Sequence, residues 1–142
     1  MLKTPDSQKI KAIAEKYQVN TVYLFGSQAT GKADKNSDYD FAVLLDKKVP
    51  VKEYGWKLVY LTEEFMRLMN PNKVDVVIMN EPKITYLLKF NIVKEGKVLY
   101  DINKEERVIM EVEAMRNWFD WQYYEEMWRD IFLTQMAEGK IL

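Results

Sequence analysis

Three aspartates and a glycine-serine pair carry the chemistry on offer in this sequence. Asp38 and Asp40 alternate at the head of the apolar run Phe41-Ala42-Val43-Leu44-Leu45, and Gly26-Ser27 closes an earlier run, Val22-Tyr23-Leu24-Phe25. Alternate residues of a strand share a face and rise roughly 3.3 Å each, so the two carboxylates project together from Cα atoms about 7 Å apart. Carboxylates that close repel, and a divalent cation keeps both ionised at neutral pH. Oxygen donors alone suit Mg2+ or Mn2+ better than a metal that prefers nitrogen and sulfur. Gly26 lets backbone come close to a ligand, and neighbouring N–H groups with the Ser27 hydroxyl can grip phosphate oxygens. A third carboxylate, Asp75, interrupts Val74-Asp75-Val76-Val77-Ile78, where a charge is costly unless paired or metal-bound.

Singly, these features also have plain structural readings. An Asp-x-Asp can be a solvated strand end, Gly-Ser a turn, the whole a hairpin with a polar tip, and Asp75 a strand-edge carboxylate turned to water. The combination is more specific: ten residues, 28 to 37, separate Ser27 from Asp38, and Asp75 follows on the next predicted strand.

Composition removes several alternatives. The 142 residues contain no histidine and no cysteine, so Ser-His-Asp triads, histidine bases, thiol nucleophiles, disulfides and zinc-thiolate sites are all excluded. Chemistry must run on carboxylates, lysines, tyrosines and hydroxyls, and Ser27 is not expected to be a nucleophile. A net charge of −1 offers no bulk attraction for nucleic acid. With 48% apolar residues a packed core is expected, and the length suits one domain over residues 1–142. No apolar run reaches membrane-spanning length and Met1-Leu2-Lys3-Thr4 shows no signal-peptide pattern, so a soluble cytoplasmic protein is expected.

The elements that must position these residues follow from periodicity. Thr4-Pro5-Asp6 reads as a helix start, with Thr4 as the hydroxyl cap, and Ile10, Ile13, Ala14 and Tyr17 form its apolar stripe. A strand is predicted from about Val19 to Phe25, a turn-rich loop from Ser27 to Ser37, and a second strand through Leu45. A helix of roughly Val51 to Met69 buries Tyr54, Leu58, Leu61, Phe65 and Leu68. The third strand, Val74 to Met79, follows that crossover helix and is expected beside the second. A helix from about Pro82 to Lys94, with Ile84, Leu87, Leu88 and Ile92 apolar, and a short strand Lys97 to Tyr100 complete a catalytic core of about 19–100.

A long helix is predicted from Lys104, ending before Gly139. Trp118, Phe119, Trp121, Tyr123, Tyr124, Trp128 and Phe132 place seven of the nineteen aromatics in fifteen residues. Val108, Val112, Met115 and Phe119 make one stripe, expected to face the core; Trp121, Tyr124, Trp128, Ile131 and Phe132 make a second, wider than one sheet face needs. Either the helix is sandwiched in the core, or its second stripe is a partner surface, since Trp, Tyr and Met are enriched in interface cores.

The pattern Gly-Ser, ten residues, Asp-x-Asp and a later strand aspartate resembles the polymerase-beta-type nucleotidyltransferase superfamily, over Val22 to Met79. Within it the short chain resembles the minimal nucleotidyltransferases, the MNT or MntA-type antitoxins that pair with HEPN toxins. The resemblance implies an α+β fold, a small mixed sheet flanked by helices, with the long C-terminal helix at about 104–138. It implies Gly26 and Ser27 on the nucleotide phosphates, and Asp38, Asp40 and Asp75 as metal-binding catalytic residues, Asp75 also assisting the attacking hydroxyl. The implied activity is Mg2+- or Mn2+-dependent transfer of AMP from ATP to a protein hydroxyl, a tyrosine of a HEPN-family toxin. The chain would then be the antitoxin of a type VII toxin–antitoxin system, gripping its toxin through Trp118, Trp121, Tyr124, Trp128 and Phe132, with no membrane and no direct nucleic-acid partner. Two departures stand out: Gln28 and Thr30 occupy places where such proteins commonly carry arginines, leaving Lys32 or Lys35 to supply positive charge. That favours an alternative, an antitoxin that neutralises its toxin by binding alone. A third reading, a small-molecule or antibiotic nucleotidyltransferase, is weakened because only residues 101–142 follow Tyr100, too few for the extra helical domain that usually forms an acceptor pocket.

Overall fold

Apolar alternation along four strands builds a mixed sheet in the order β3-β2-β1-β4. The computed structural model describes residues 4–34 and 36–140. Its elements run α1 (Ser7–Lys16), β1 (Val19–Phe25), α2 (Ser27–Thr30), β2 (Tyr39–Leu45), α3 (Tyr54–Met69), β3 (Val74–Ile78), α4 (Tyr86–Glu95), β4 (Lys97–Asp101) and α5 (Lys104–Ala137). β1 pairs antiparallel with both β2 and β4, whereas β2 and β3 run parallel across the α3 crossover. Both faces are covered, which is why β2 reads as a nearly unbroken apolar run. Tyr39, Phe41, Val43 and Leu45 join Ile10, Ile13 and Ala14 of α1 and Leu61, Phe65 and Met69 of α3 in one core, with the Phe41 and Phe65 rings stacked at 4.4 Å. Tyr23, Ala42, Leu44, Met79, Ile92, Met110 and Ala114 fill the other, beneath α4 and α5.

Several boundaries differ from the predicted ones. Asp6, not Thr4, caps α1: its Oδ1 accepts from the N–H of Gln8 at 2.9 Å and of Lys9 at 3.3 Å, so Pro5 lies outside the helix. The loop after Ser27 begins with a helical turn, α2, stopped by Gly31 at φ +79°. A 3-10 turn, Val51–Glu53, precedes α3. α4 starts at Tyr86 because Thr85 Oγ1 accepts from the Leu88 N–H at 3.2 Å; that start leaves Leu87 exposed.

The largest correction concerns α5. Val108, Val112, Met115 and Phe119, expected to face the core, are 40–56% exposed, and Met110 and Ala114 are buried instead. Polar contacts set this rotation. Arg107 bridges Asp101 at 2.6 Å and Glu111 at 2.8 Å, Tyr23 donates its hydroxyl to Glu111 at 2.7 Å, and Asn20 donates to Glu106 at 3.0 Å. Burial and the Glu111 carboxylate together push the Tyr23 phenol well above its usual range, so it stays a donor. These partners lie at positions 106, 107 and 111, and they turn the apolar 108–112–115–119 line to solvent. The sandwiched alternative also fails. From Phe119 to Ala137 only Gln122 and Gln135 are half-buried, the rest exposed. No helix among the described residues is long and apolar enough to cross a membrane.

Candidate active site

Strand parity and register assemble the acidic residues. Asp40 alternates with Ala42 and Leu44, so it lies on the sheet face covered by α4 and α5. Parallel pairing sets Asp40 directly beside Asp75, with adjacent strands about 4.8 Å apart. Asp38 precedes β2 by one residue and is exposed, as is Asp75, while Asp40 is half-buried. The Asp40 carboxyl is held above the usual carboxylate range, first by burial, then by the charges of Asp75 and Asp38. Both neighbours are therefore close enough to be felt, and among the described residues no lysine or arginine forms an ion pair with any of the three.

Gly26 abuts the same point from the other side. Phe25 pairs with Asp40, so the chain leaving β1 passes close to that carboxylate. A Cβ on Gly26 would lie 3.3 Å from Asp40 Cγ and collide with its Oδ2. The backbone there, at φ 72° and ψ −155°, is also one that side chains rarely adopt. Ser27 then opens α2, whose third and fourth N–H groups, on Ala29 and Thr30, return to Gly26 O at 3.1 and 3.2 Å. The first two N–H groups of a helix have no acceptor within it, and in α2 they belong to Ser27 and Gln28. Donors thus stand beside carboxylates, the juxtaposition an anion and its cation would need.

The residues around this turn are less favourable to an anion. Gln28 donates its side-chain amide to Ser37 O at 3.4 Å, Thr30 and Lys32 are exposed, and Lys35 lies outside the described residues. Asp34 folds the loop, accepting from Asn36 N at 2.8 Å.

The donor set fits a hard divalent cation. Among the described residues no group of three acidic side chains is closed around one point, yet Mg2+ is ordinarily held by one or two carboxylates with substrate phosphates and water completing the octahedron. Mutual repulsion at Asp40, with which no basic side chain among the described residues forms an ion pair, is what such a cation would relieve.

Two hollows were not legible in the sequence. One, about 270 Å3, is lined by Asn36, Asp38, Pro71, Asn72 and Lys73, where β2 and β3 begin. The other, about 650 Å3, lies between α4 and α5 and includes Tyr86, Leu87, Trp118 and Trp121. Trp118 sits against Phe90 at 5.8 Å and Trp121 against Tyr86 at 6.2 Å between ring centroids. Beyond them Tyr124, Trp128 and Phe132 are exposed on α5.

Comparison with known proteins supplies independent findings. Residues 8–105 match the family model described as polymerase beta, nucleotidyltransferase. A protein adenylyltransferase MntA of Aphanizomenon flos-aquae (strain 2012/KM1/D3) is 34% identical over 86 residues, 55% of this chain and 54% of that protein. The chain thus spans about half the length of the curated relative it matches. A chain from a crystal structure of a toxin-antitoxin with AMP-PNP superposes with a TM-score of 0.69, at 21% identity, over 90% of this chain and 98% of its own. A chain from the tri-AMPylated Shewanella oneidensis HEPN toxin in complex with MNT antitoxin gives a TM-score of 0.60, at 19% identity, over 89% and 95%. At those identities the likeness establishes the fold.

Proposed function

The chain belongs to the polymerase beta nucleotidyltransferase family, and from that premise we propose that it transfers AMP from ATP to a hydroxyl, a tyrosine, on a HEPN-family toxin and so acts as the antitoxin of the pair. One observation carries the reading: Asp40 stands in register beside Asp75, with Gly26 pressed against its carboxylate. The glycine-serine turn and two carboxylates lie at one end of the sheet, which supports the reading.

Gly26 and Ser27 hold the triphosphate, the glycine by allowing close approach and the serine by its hydroxyl and N–H. Asp38, Asp40 and Asp75 would hold Mg2+ or Mn2+, which when bound neutralises charge on the transferring phosphoryl group. The acceptor oxygen bonds to the α-phosphorus as the bond from that phosphorus to the bridging oxygen breaks, and pyrophosphate leaves carrying that oxygen. Asp75, exposed on the edge strand, takes the hydroxyl proton. Positioning and charge suffice for such a transfer, and no histidine is needed. Support for the partner comes from α5, whose aromatic half is uncovered, and from the antitoxin–toxin complexes whose chains share this fold.

The test is transfer of α-labelled AMP from ATP to the purified partner, with folding followed by circular dichroism. Asp38→Asn and Asp75→Asn should fold normally and label nothing; full labelling by both ends the proposal. Gln28, its amide committed to the loop where an arginine is common, favours a second reading, neutralisation by binding alone. Under that reading the aspartate variants still silence the toxin, whereas Trp121→Ala and Trp128→Ala do not.

A further inference from the structure

We propose that the hollow at the entrances of β2 and β3 seats the acceptor side chain, with Lys73 selecting acceptors that carry an acidic residue next to the modified hydroxyl. The inference rests on the transfer reaction above and adds where the second substrate enters. Across the end of the sheet the order is fixed by pairing. Gly26-Ser27 lies beyond Asp40 on the β1 side, and Asp75 lies beyond Asp40 on the β3 side. In-line displacement requires the attacking oxygen to arrive opposite the departing pyrophosphate. Phosphates anchored at Gly26-Ser27 therefore place the acceptor on the β3 side, and β3 is the edge of the sheet.

A hollow is present on that side. Tyr39 N donates to Lys73 O at 2.9 Å, which ties the chain entering β3 to the chain entering β2, and Asp38 forms part of the wall. At about 270 Å3 it falls below the roughly 300–1,000 Å3 of pockets that engulf a drug-sized molecule. That is room for one aromatic side chain. Charge narrows the choice further. Asp38 and Asp75 repel an acidic segment that enters head-on, and Lys73, exposed and in no ion pair among the described residues, is a cation on this rim that can hold such a segment to one side.

The experiment measures steady-state AMP transfer to the purified protein partner, varying ATP and partner separately, with Mg-ATP binding followed by calorimetry. Lys73→Glu should raise KM for the partner about tenfold while KM for ATP stays within about twofold. Asn36→Trp, which fills the hollow while keeping the backbone turn, should do the same. Calorimetric affinity for Mg-ATP should be unchanged in both. Loss of ATP affinity in step with activity would assign the hollow to the nucleotide and overturn the inference, as would an unchanged KM for the partner in both variants. A wild-type protein that labels no partner removes the transfer reaction itself, and this inference with it.

Discussion

The acidic end of the sheet and the free half of α5 depart from ordinary burial in opposite senses. At the first, Asp40 occupies a half-buried strand position, beside Asp75, that the pattern of β2 would fill with another apolar residue. At the second, Tyr124, Trp128, Ile131 and Phe132 lie in water where a helix ordinarily shows charge. Each departure costs the isolated chain something, repulsion and desolvation in one place and exposed apolar surface in the other. The first is answered by a small cationic ligand with phosphates, the second by a large apolar surface. The two halves of α5 repeat the contrast along one element: Met110 and Ala114 are sealed against the sheet, and past Trp121 every residue through Ala137 but Gln122 and Gln135 is exposed.

The sharpest way to break the contrast is at Asp40. Asp40→Asn should lower the rate of AMP transfer by roughly 10³-fold or more, as removal of a group that organises transition-state charge does, measured by label incorporation with the fold intact. Next is the sealed half of α5. Met110→Ala should destabilise the protein by about 2–5 kcal/mol in urea unfolding, because it opens a cavity between the helix and the sheet. The free half should behave otherwise. Trp128→Ala should change unfolding free energy by less than about 0.5 kcal/mol but weaken partner binding by about 2 kcal/mol, roughly thirtyfold, in a titration. Equal stability losses from Met110→Ala and Trp128→Ala would mean that the two halves are not different after all.

The smallest effect concerns pH. Because the folded state raises the Asp40 pKa, its ionisation works against folding. At pH 3, below the unfolded value of about 3.9, the penalty is absent; it grows as pH rises and is complete above the folded value. Asp40→Asn should therefore melt higher than wild type at pH 7, with the difference gone near pH 3. Magnesium should raise the wild-type melting temperature at pH 7 more than that of the variant, since it offsets a charge only the former carries.

Much of the fold follows from local pattern. Strand positions in β1, β2 and β3 were legible because apolar runs there are bounded by Gly26, Asn70-Pro71 and lysines, and α5 because nothing between Lys104 and Ala137 breaks a helix. Its orientation was not, since two apolar stripes competed and two of the deciding contacts, Tyr23 with Glu111 and Asn20 with Glu106, join residues far apart in the chain. Asp6 displaced Thr4 as a cap because both residue types accept from helix N–H groups, and sequence alone does not rank them. α2 escaped notice since four residues show no period. At the candidate site, the residue types were visible in the spacing, whereas the contact between Gly26 and Asp40 depends on strand register. The hollow beside Lys73 depends on how two loops meet, which no periodicity encodes.

The 34 residues of α5 have one further consequence. At about 1.5 Å per residue, the stretch past Trp121 is a rigid arm on the order of 25 Å long, fixed at its root by the Arg107 network. A protein caught on that arm is tethered to the carboxylates, and its local concentration there is on the order of millimolar. Even a weakly recognised hydroxyl could then be modified at low cellular abundance, and a change at the far tip of the helix would be read out as a slower reaction at the sheet.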